Sequence, residues 1–112
     1  MNTIENFFTT IQQSKIYIRT PNPTISEDVQ KLLFSLGYHW IGRNINPKYT
    51  YNKYVVVYRN QPNLFTNNYD DTDAYFMEAS IFFKIAKSLH LKNYIKDTYE
   101  YYRITIYTYI QM

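Results

Sequence analysis

The chain of 112 residues has no cysteine and, beside 14 tyrosines, only 2 glycines, 2 histidines and 1 tryptophan. Without cysteine there is no disulfide, no thiol nucleophile and no cysteine-ligated zinc, so a reducing compartment is the simplest setting and the cytosol the expected location. The two histidines, His39 and His90, stand about half the chain apart, with no H-x-x-x-H pair and no nucleophile elbow to bring a general base to a reacting group. No segment approaches the length needed to span a bilayer, and MNTIENFF at the amino terminus lacks the basic residues and apolar run of a secretory signal, so a soluble protein is expected. Dense Lys/Arg blocks are missing too, and a net charge of +3 permits nucleic-acid affinity without demanding it. Asp70, Asp71, Asp73 and Glu78 cluster, yet the glycine and distal glutamate of a calcium-binding loop are absent, which favours a solvated, turn-forming loop over a cation site. The expectation is a protein with no catalytic constellation, no cofactor and no metal.

What is present suits one small domain spanning residues 1–112, with an expected radius of gyration of about 13 Å if compact. A chain of this size buries roughly two-thirds of the surface exposed by its unfolded form, enough to fold without staples. Tyrosine joins a large apolar ring to a polar tip and is enriched at contact surfaces, so an excess of it over the needs of one core points to an adhesive face. AT-rich coding, which favours Tyr, Asn, Ile and Lys together, is the alternative source of the same composition.

Hydrophobic spacing divides the chain into elements. Ile4, Phe7, Phe8 and Ile11 give a short amphipathic helix over Thr3 to Gln13, with Asn2 and Glu5 placed to close its first turn. Ile16 and Ile18 alternate with Lys15, Tyr17 and Arg19 in a strand that Pro21 and Pro23 stop. Ile25, Val29, Leu32, Leu33 and Leu36 form the stripe of a helix near Thr24 to Leu36 that packs on that strand's sheet, with two competing starts, Thr24 with Glu27 or Asn22 with Pro23, and with Gly37 as its stop. A second strand is expected at Tyr38 to Ile41, then a turn or long hairpin loop over Gly42 to Tyr51, then a central strand at Tyr54 to Tyr58 whose consecutive valines suit cover on both faces. Asn60 to Asp73 reads as loop, broken by an extended piece at Leu64 and Phe65. Ile81, Phe82, Ile85, Ala86 and Leu89 mark a helix from Ser80, one that Phe76 and Ala79 would extend backwards, with Lys84 and Lys87 opposite. Tyr102, Ile104, Ile106 and Ile110 alternate with Arg103, Thr105, Tyr107 and Tyr109 in a last strand. The economical architecture is an α+β sandwich, helices packed on one face of a mostly antiparallel sheet.

The run from Lys15 to about Lys84, with Y-I-R-T-P, V-Q-K-L-L-F-S-L-G-Y-H-W, the valine-rich strand and E-A-S-I-F-F-K, resembles short reading frames of bacteriophages and other viruses that share a strand, a helix ending in L-G-[YF]-x-W, a strand pair and a final short helix. The resemblance covers the middle two-thirds of the chain and implies a viral accessory protein. No catalytic residues come with it, and the segment from Tyr94 onward lies outside it.

Two surfaces stand out. Arg43, Lys48, Lys53 and Arg59 interleave with Trp40, Tyr49, Tyr51, Tyr54 and Tyr58, and cations beside stacking rings are how single strands or nucleotides are held without sequence reading. The alternative is a surface hairpin with Trp40 as core anchor, because no defined RNA-binding signature is matched. Lys84, Lys87, Lys92 and Lys96 form a second basic strip, read as the solvated face of a helix. The carboxyl-terminal strand presents Arg103, Thr105, Tyr107 and Tyr109 on one face, and such a strand at a sheet edge predicts a homodimer built on it. The leading expectation is stoichiometric binding to a host or defence protein, in the manner of an anti-CRISPR inhibitor, followed by single-stranded nucleic-acid or nucleotide binding through Trp40 to Arg59.

Overall fold

A computed structural model describes Phe8 and residues 10–88. Within them four strands and two α-helices form, β1 (Lys15–Arg19), α1 (Pro23–Ser35), β2 (Tyr54–Tyr58), β3 (Leu64–Asn67), β4 (Tyr75–Glu78) and α2 (Ala79–Ser88), with a short 3-10 helix at Ile41–Arg43. The strands make one mixed sheet in the order β3-β2-β1-β4. β1 pairs with β2 and β2 with β3 antiparallel, whereas β1 pairs with β4 in parallel, Ile16 opposite Tyr75 and Ile18 opposite Met77. The chain is thus α+β, with a Cα radius of gyration of 12.9 Å.

Asn22 settles the start of α1: its Oδ1 accepts the Ile25 amide at 2.9 Å, and Pro23, whose missing N–H has no partner to lose there, takes the first helical position. At the other end Gly37 adopts φ +99°, and the amides of Gly37 and Tyr38 donate back to Phe34 and Leu33. That pair of bonds satisfies carbonyls the helix would leave open, through a conformation only glycine enters cheaply. Ile25, Val29, Leu32 and Leu33 are buried against Ile16, Ile18, Val55 and Val57 in the main core, which Phe82, Phe83, Ala86, Tyr38, Trp40, Phe8 and Ile11 complete.

The strand expected at Tyr38 to Ile41 does not form. His39 makes one parallel bridge to Asn63 and Trp40 one antiparallel bridge to Asn44, with Gly42 (φ +81°) and Arg43 (φ +61°) turning the chain away. Phe76 does not extend α2 either: it lies in β4 on the far face of the sheet, ringed by Tyr17 and Tyr54 at centroid distances of 5.4 and 5.5 Å. Because α2 starts at Ala79, its inward stripe is Ala79, Phe82, Phe83 and Ala86, and Ile81, about half a turn round from both Ala79 and Phe83, is 44% exposed. Of the helix expected at Thr3 to Gln13, only Phe8 is helical among the described residues: the chain turns at Thr10, where the Ile11 amide donates to Phe8 O at 3.1 Å, and Ile11 to Gln13 lie outside any helix, although Phe8 and Ile11 are both buried. His90, Lys92, Lys96 and the strand bearing Arg103, Thr105, Tyr107 and Tyr109 lie outside the described residues.

The second face of the sheet carries no helix among the described residues, yet it is covered. Tyr17, Tyr54, Val56 and Ala74 bury one another there, with Tyr58 and Phe65 at the margin. The acidic loop crosses this face. Tyr54 donates its hydroxyl to Asp70 at 2.7 Å, and Lys15 pairs with Asp71 at 2.6 Å. The hydrogen bond from Lys15 holds the Asp71 carboxyl below its ordinary pKa, and the bond to Asp70 raises that of the Tyr54 phenol. The acids therefore fasten a loop; Glu78 faces Arg19 at 3.7 Å across the β1–β4 pair.

Candidate functional site

Between Trp40 and Lys53 the chain runs as one long connection without a strand, and its geometry is set from beneath. Gln30 of α1 is fully buried, and its carboxamide behaves like a peptide group: Nε2 donates to Lys48 O at 2.7 Å and Oε1 accepts from Lys48 N at 2.9 Å. Ser26, also buried one turn earlier, accepts a second bond from Nε2 at 3.1 Å. Trp40, only 6% exposed, donates its indole N–H to Asn46 O at 3.1 Å, and Asn44 Oδ1 caps the Asn46 amide at 2.9 Å. At the far end Thr20 takes Lys53 O with both amide and hydroxyl, at 2.7 and 3.1 Å, and Asn68 Oδ1 accepts the Lys53 amide at 2.9 Å. A loop bonded at so many points is ordered before any partner arrives.

On this base the loop turns large apolar side chains outward. Ile41, Ile45, Tyr49 and Tyr51 are 74, 60, 62 and 87% exposed. Arg43 and Tyr49 also hold left-handed backbone, φ +61° and +54°, which costs residues with a Cβ of order 1 kcal/mol or more and persists where surrounding bonds enforce it. Both lie in this loop. Between the loop and β3 runs a cavity of about 320 Å³, near the lower end of the range for ligand clefts. Leu64, Phe65 and Thr66 line its strand side; Trp40 with Ile41, and Lys48 with Tyr49, line the other. The Tyr49 ring meets the Trp40 indole edge to face at 5.5 Å.

The structure divides the residues that the sequence grouped. Trp40, Lys48 and Tyr49 come together at the cavity, and Arg43, Tyr51 and Lys53 stand exposed on the same loop. Arg59 does not join them: its guanidinium donates to the carbonyls of Ile11 and Gln12, at the far end of β2. Tyr54 and Tyr58 belong to the second face of the sheet. Trp40 is both a core member and a cavity wall, so the two readings of that residue are compatible. Sequence reasoning missed Gln30 and Ser26 as the loop's support, and Ile41 and Ile45 as its exposed apolar pair. A glutamine beside the apolar stripe of α1 was the one available sign. A further regularity is plain once the surface is located: none of the chain's nine acidic residues lies between Val29 and Tyr69, while Lys31, Arg43, Lys48, Lys53 and Arg59 do.

Among the described residues no group of three or more His, Cys, Asp or Glu side chains is placed to hold a metal ion, and no helix is long and apolar enough to cross a membrane. No protein-family model, no curated protein and no solved structure matches this chain.

Proposed function

We propose that the protein acts by stoichiometric binding, without turnover, as a small cytosolic accessory protein of viral type that engages a host or defence protein through the Trp40 to Lys53 loop. The observation that carries this reading is the display of Ile41, Ile45, Tyr49 and Tyr51 on a loop already fixed by Gln30, Trp40 and Thr20. Exposed aromatic and aliphatic groups desolvate favourably at an interface, and a loop ordered in advance loses little entropy on binding. Only Arg43, Lys48 and Lys53 bring charge to it. The test is affinity capture from host cells by the wild-type chain and by the double variant Ile45→Lys/Tyr51→Lys, followed by mass spectrometry. A partner retained by the wild type and lost from the double variant, with the melting temperature unchanged, is the expected result. A partner list identical for the two proteins rejects the reading.

A second reading, single-stranded nucleic-acid or nucleotide binding, draws on the acid-free run from Val29 to Tyr69 and the position of Lys48 beside Tyr49 in the cavity. It requires affinity for an oligonucleotide that falls steeply with salt, and a loss of about 1 to 3 kcal/mol on Tyr49→Ala or Tyr51→Ala where the ring stacks on a base. No mobility shift at low salt dismisses it.

A further inference from the structure

Among the described residues β3 is an outer strand of the sheet, and only the start of its free edge is paired. The Leu64 amide donates to His39 O at 2.8 Å and the His39 amide to Pro62 O at 3.0 Å, so the Leu64 N–H points away from β2. Main-chain groups alternate from side to side along an antiparallel strand. The N–H and C=O of Thr66 therefore point away from β2 as well, and neither has a main-chain partner among the described residues. The segment that begins to cover the edge abandons it: after the parallel bridge between His39 and Asn63, Gly42 and Arg43 turn the chain outward, and it returns at Lys48 and Tyr49 as the opposite wall of the cavity. The cavity is the space a continuing strand would have filled. Edges open to solvent are ordinarily guarded by lysine, proline or a bulge, and Leu64–Asn67 has none of these.

Building on the binding role proposed above, we propose that this space receives an extended segment of the partner protein, which adds to the sheet as a fifth strand along Thr66 and brings a carboxylate side chain to the cationic rim. A strand is the occupant whose own amide and carbonyl match Thr66 at the spacing of a ladder, while its alternate side chains enter the cavity beside Trp40 and Tyr49. Charge selects the carboxylate. Lys48 lines the cavity and Arg43 is exposed on the same loop, and the sequence holds no acidic residue from Val29 to Tyr69, so an acidic segment is drawn in where a basic one is repelled.

The test turns on one atom. Thr66→Pro removes the outward N–H and sets a ring on the edge, which an edge strand tolerates because that N–H makes no bond inside the sheet. Thr66→Ala keeps the N–H and removes only the hydroxyl, which accepts from Asn52 at 2.8 Å. A phage library displaying random peptides of about twelve residues, long enough to cover one edge strand and its flanks, is panned on the immobilised full-length chain. The enriched peptides are synthesised with a fluorescent label and titrated by anisotropy. They are expected to carry Asp or Glu among alternating apolar residues, to bind Thr66→Pro at least about tenfold more weakly and Thr66→Ala within about twofold of wild type. Hydrogen exchange of the Thr66 amide in the wild-type protein, slowed by saturating peptide, gives the same answer if Thr66→Pro unfolds. Equal affinity for Thr66→Pro, an unprotected Thr66 amide, or a library without enrichment overturns the strand proposal. Loss of binding in Ile45→Lys/Tyr51→Lys alongside indifference to Thr66→Pro overturns strand addition while leaving the loop as the binding surface. Salt-sensitive binding of oligo-dT in place of any peptide overturns it in favour of nucleic acid.

Discussion

At the level of single residues the unusual features of the molecule all involve polar groups taken out of water. Gln30 is matched by the backbone of Lys48 on both its donor and its acceptor side, so burial costs it little. Replacing it with leucine of similar bulk strands the Lys48 N–H and C=O, and an unfolding free energy lower by about 1 to 3 kcal/mol is expected from chemical denaturation, together with weaker partner binding as the loop loosens. Asp28 is the opposite case. It is 3% exposed, its Oδ2 has no hydrogen-bond partner among the described residues, and burial, reinforced by Glu27 and opposed by Lys31, pushes its carboxyl up to about 7. In the unfolded chain the same group titrates near 3.8. The folded state thus binds the proton more tightly, and stability contributed by protonated Asp28 is full below pH 4 and falls as the pH rises towards 7. Above that the ionised, unpartnered carboxylate persists as a penalty. Asp28→Asn should accordingly raise the melting temperature at pH 8, change it little at pH 4, and flatten the profile between; a pH series of thermal melts on both proteins reads this directly.

At the level of elements, α1 and β2 were legible from the sequence alone, because the stripe Ile25, Val29, Leu33 follows the helical period up to Gly37 and the consecutive β-branched Val55 to Val57 suit a strand covered on both faces. Leu33 is fully buried between α1 and the sheet, and Leu33→Ala should cost on the order of 2 to 5 kcal/mol, measured as a shift in the denaturation midpoint. β4 was not legible. Tyr75 to Glu78 passes into α2 with no glycine or proline between them, and Met77, Glu78 and Ala79 are good helix formers. What makes the first four a strand is the parallel partner β1, a contact that no local pattern encodes. The same reason hid the failed strand at Tyr38: its residues suit a strand, and only the left-handed pair Gly42 and Arg43 removes the chain from the edge after one bridge. Of the binding surface, the interleaved rings and cations were visible in the sequence. Their division into a cavity group and the distant Arg59 depended on where the loop folds back.

Considered whole, the molecule is two unequal layers of burial about one sheet: a large aliphatic and aromatic core under the helices, and a small tyrosine cluster beneath the acidic loop. The homodimer expected from the sequence alternation at Tyr107 and Tyr109 is a prediction for the full chain. Sedimentation of the wild type against Tyr107→Lys/Tyr109→Lys tests it: a shift from dimer to monomer with the melting curve preserved is the expected outcome, and a wild type that sediments as monomer at high micromolar concentration assigns those tyrosines elsewhere.

The position of β1 has a consequence for synthesis. Of the described strands it is made first, yet it ends up inside the sheet with neighbours that are made much later: Arg19 waits for Tyr54, and Ile16 for Tyr75. Among the described residues only β2 and β3 form a local hairpin. A nascent chain therefore carries an exposed Ile-Tyr-Ile segment until Tyr54 to Tyr58 is made, and the β4 side of β1 stays open until Glu78 emerges. Contacts so distant in sequence place refolding of the released protein in the range of about milliseconds to seconds, slower than a helical domain of equal length. On the ribosome, full resistance to protease should appear only once β4 clears the exit tunnel, after the antiparallel β1-β2-β3 part of the sheet has been made.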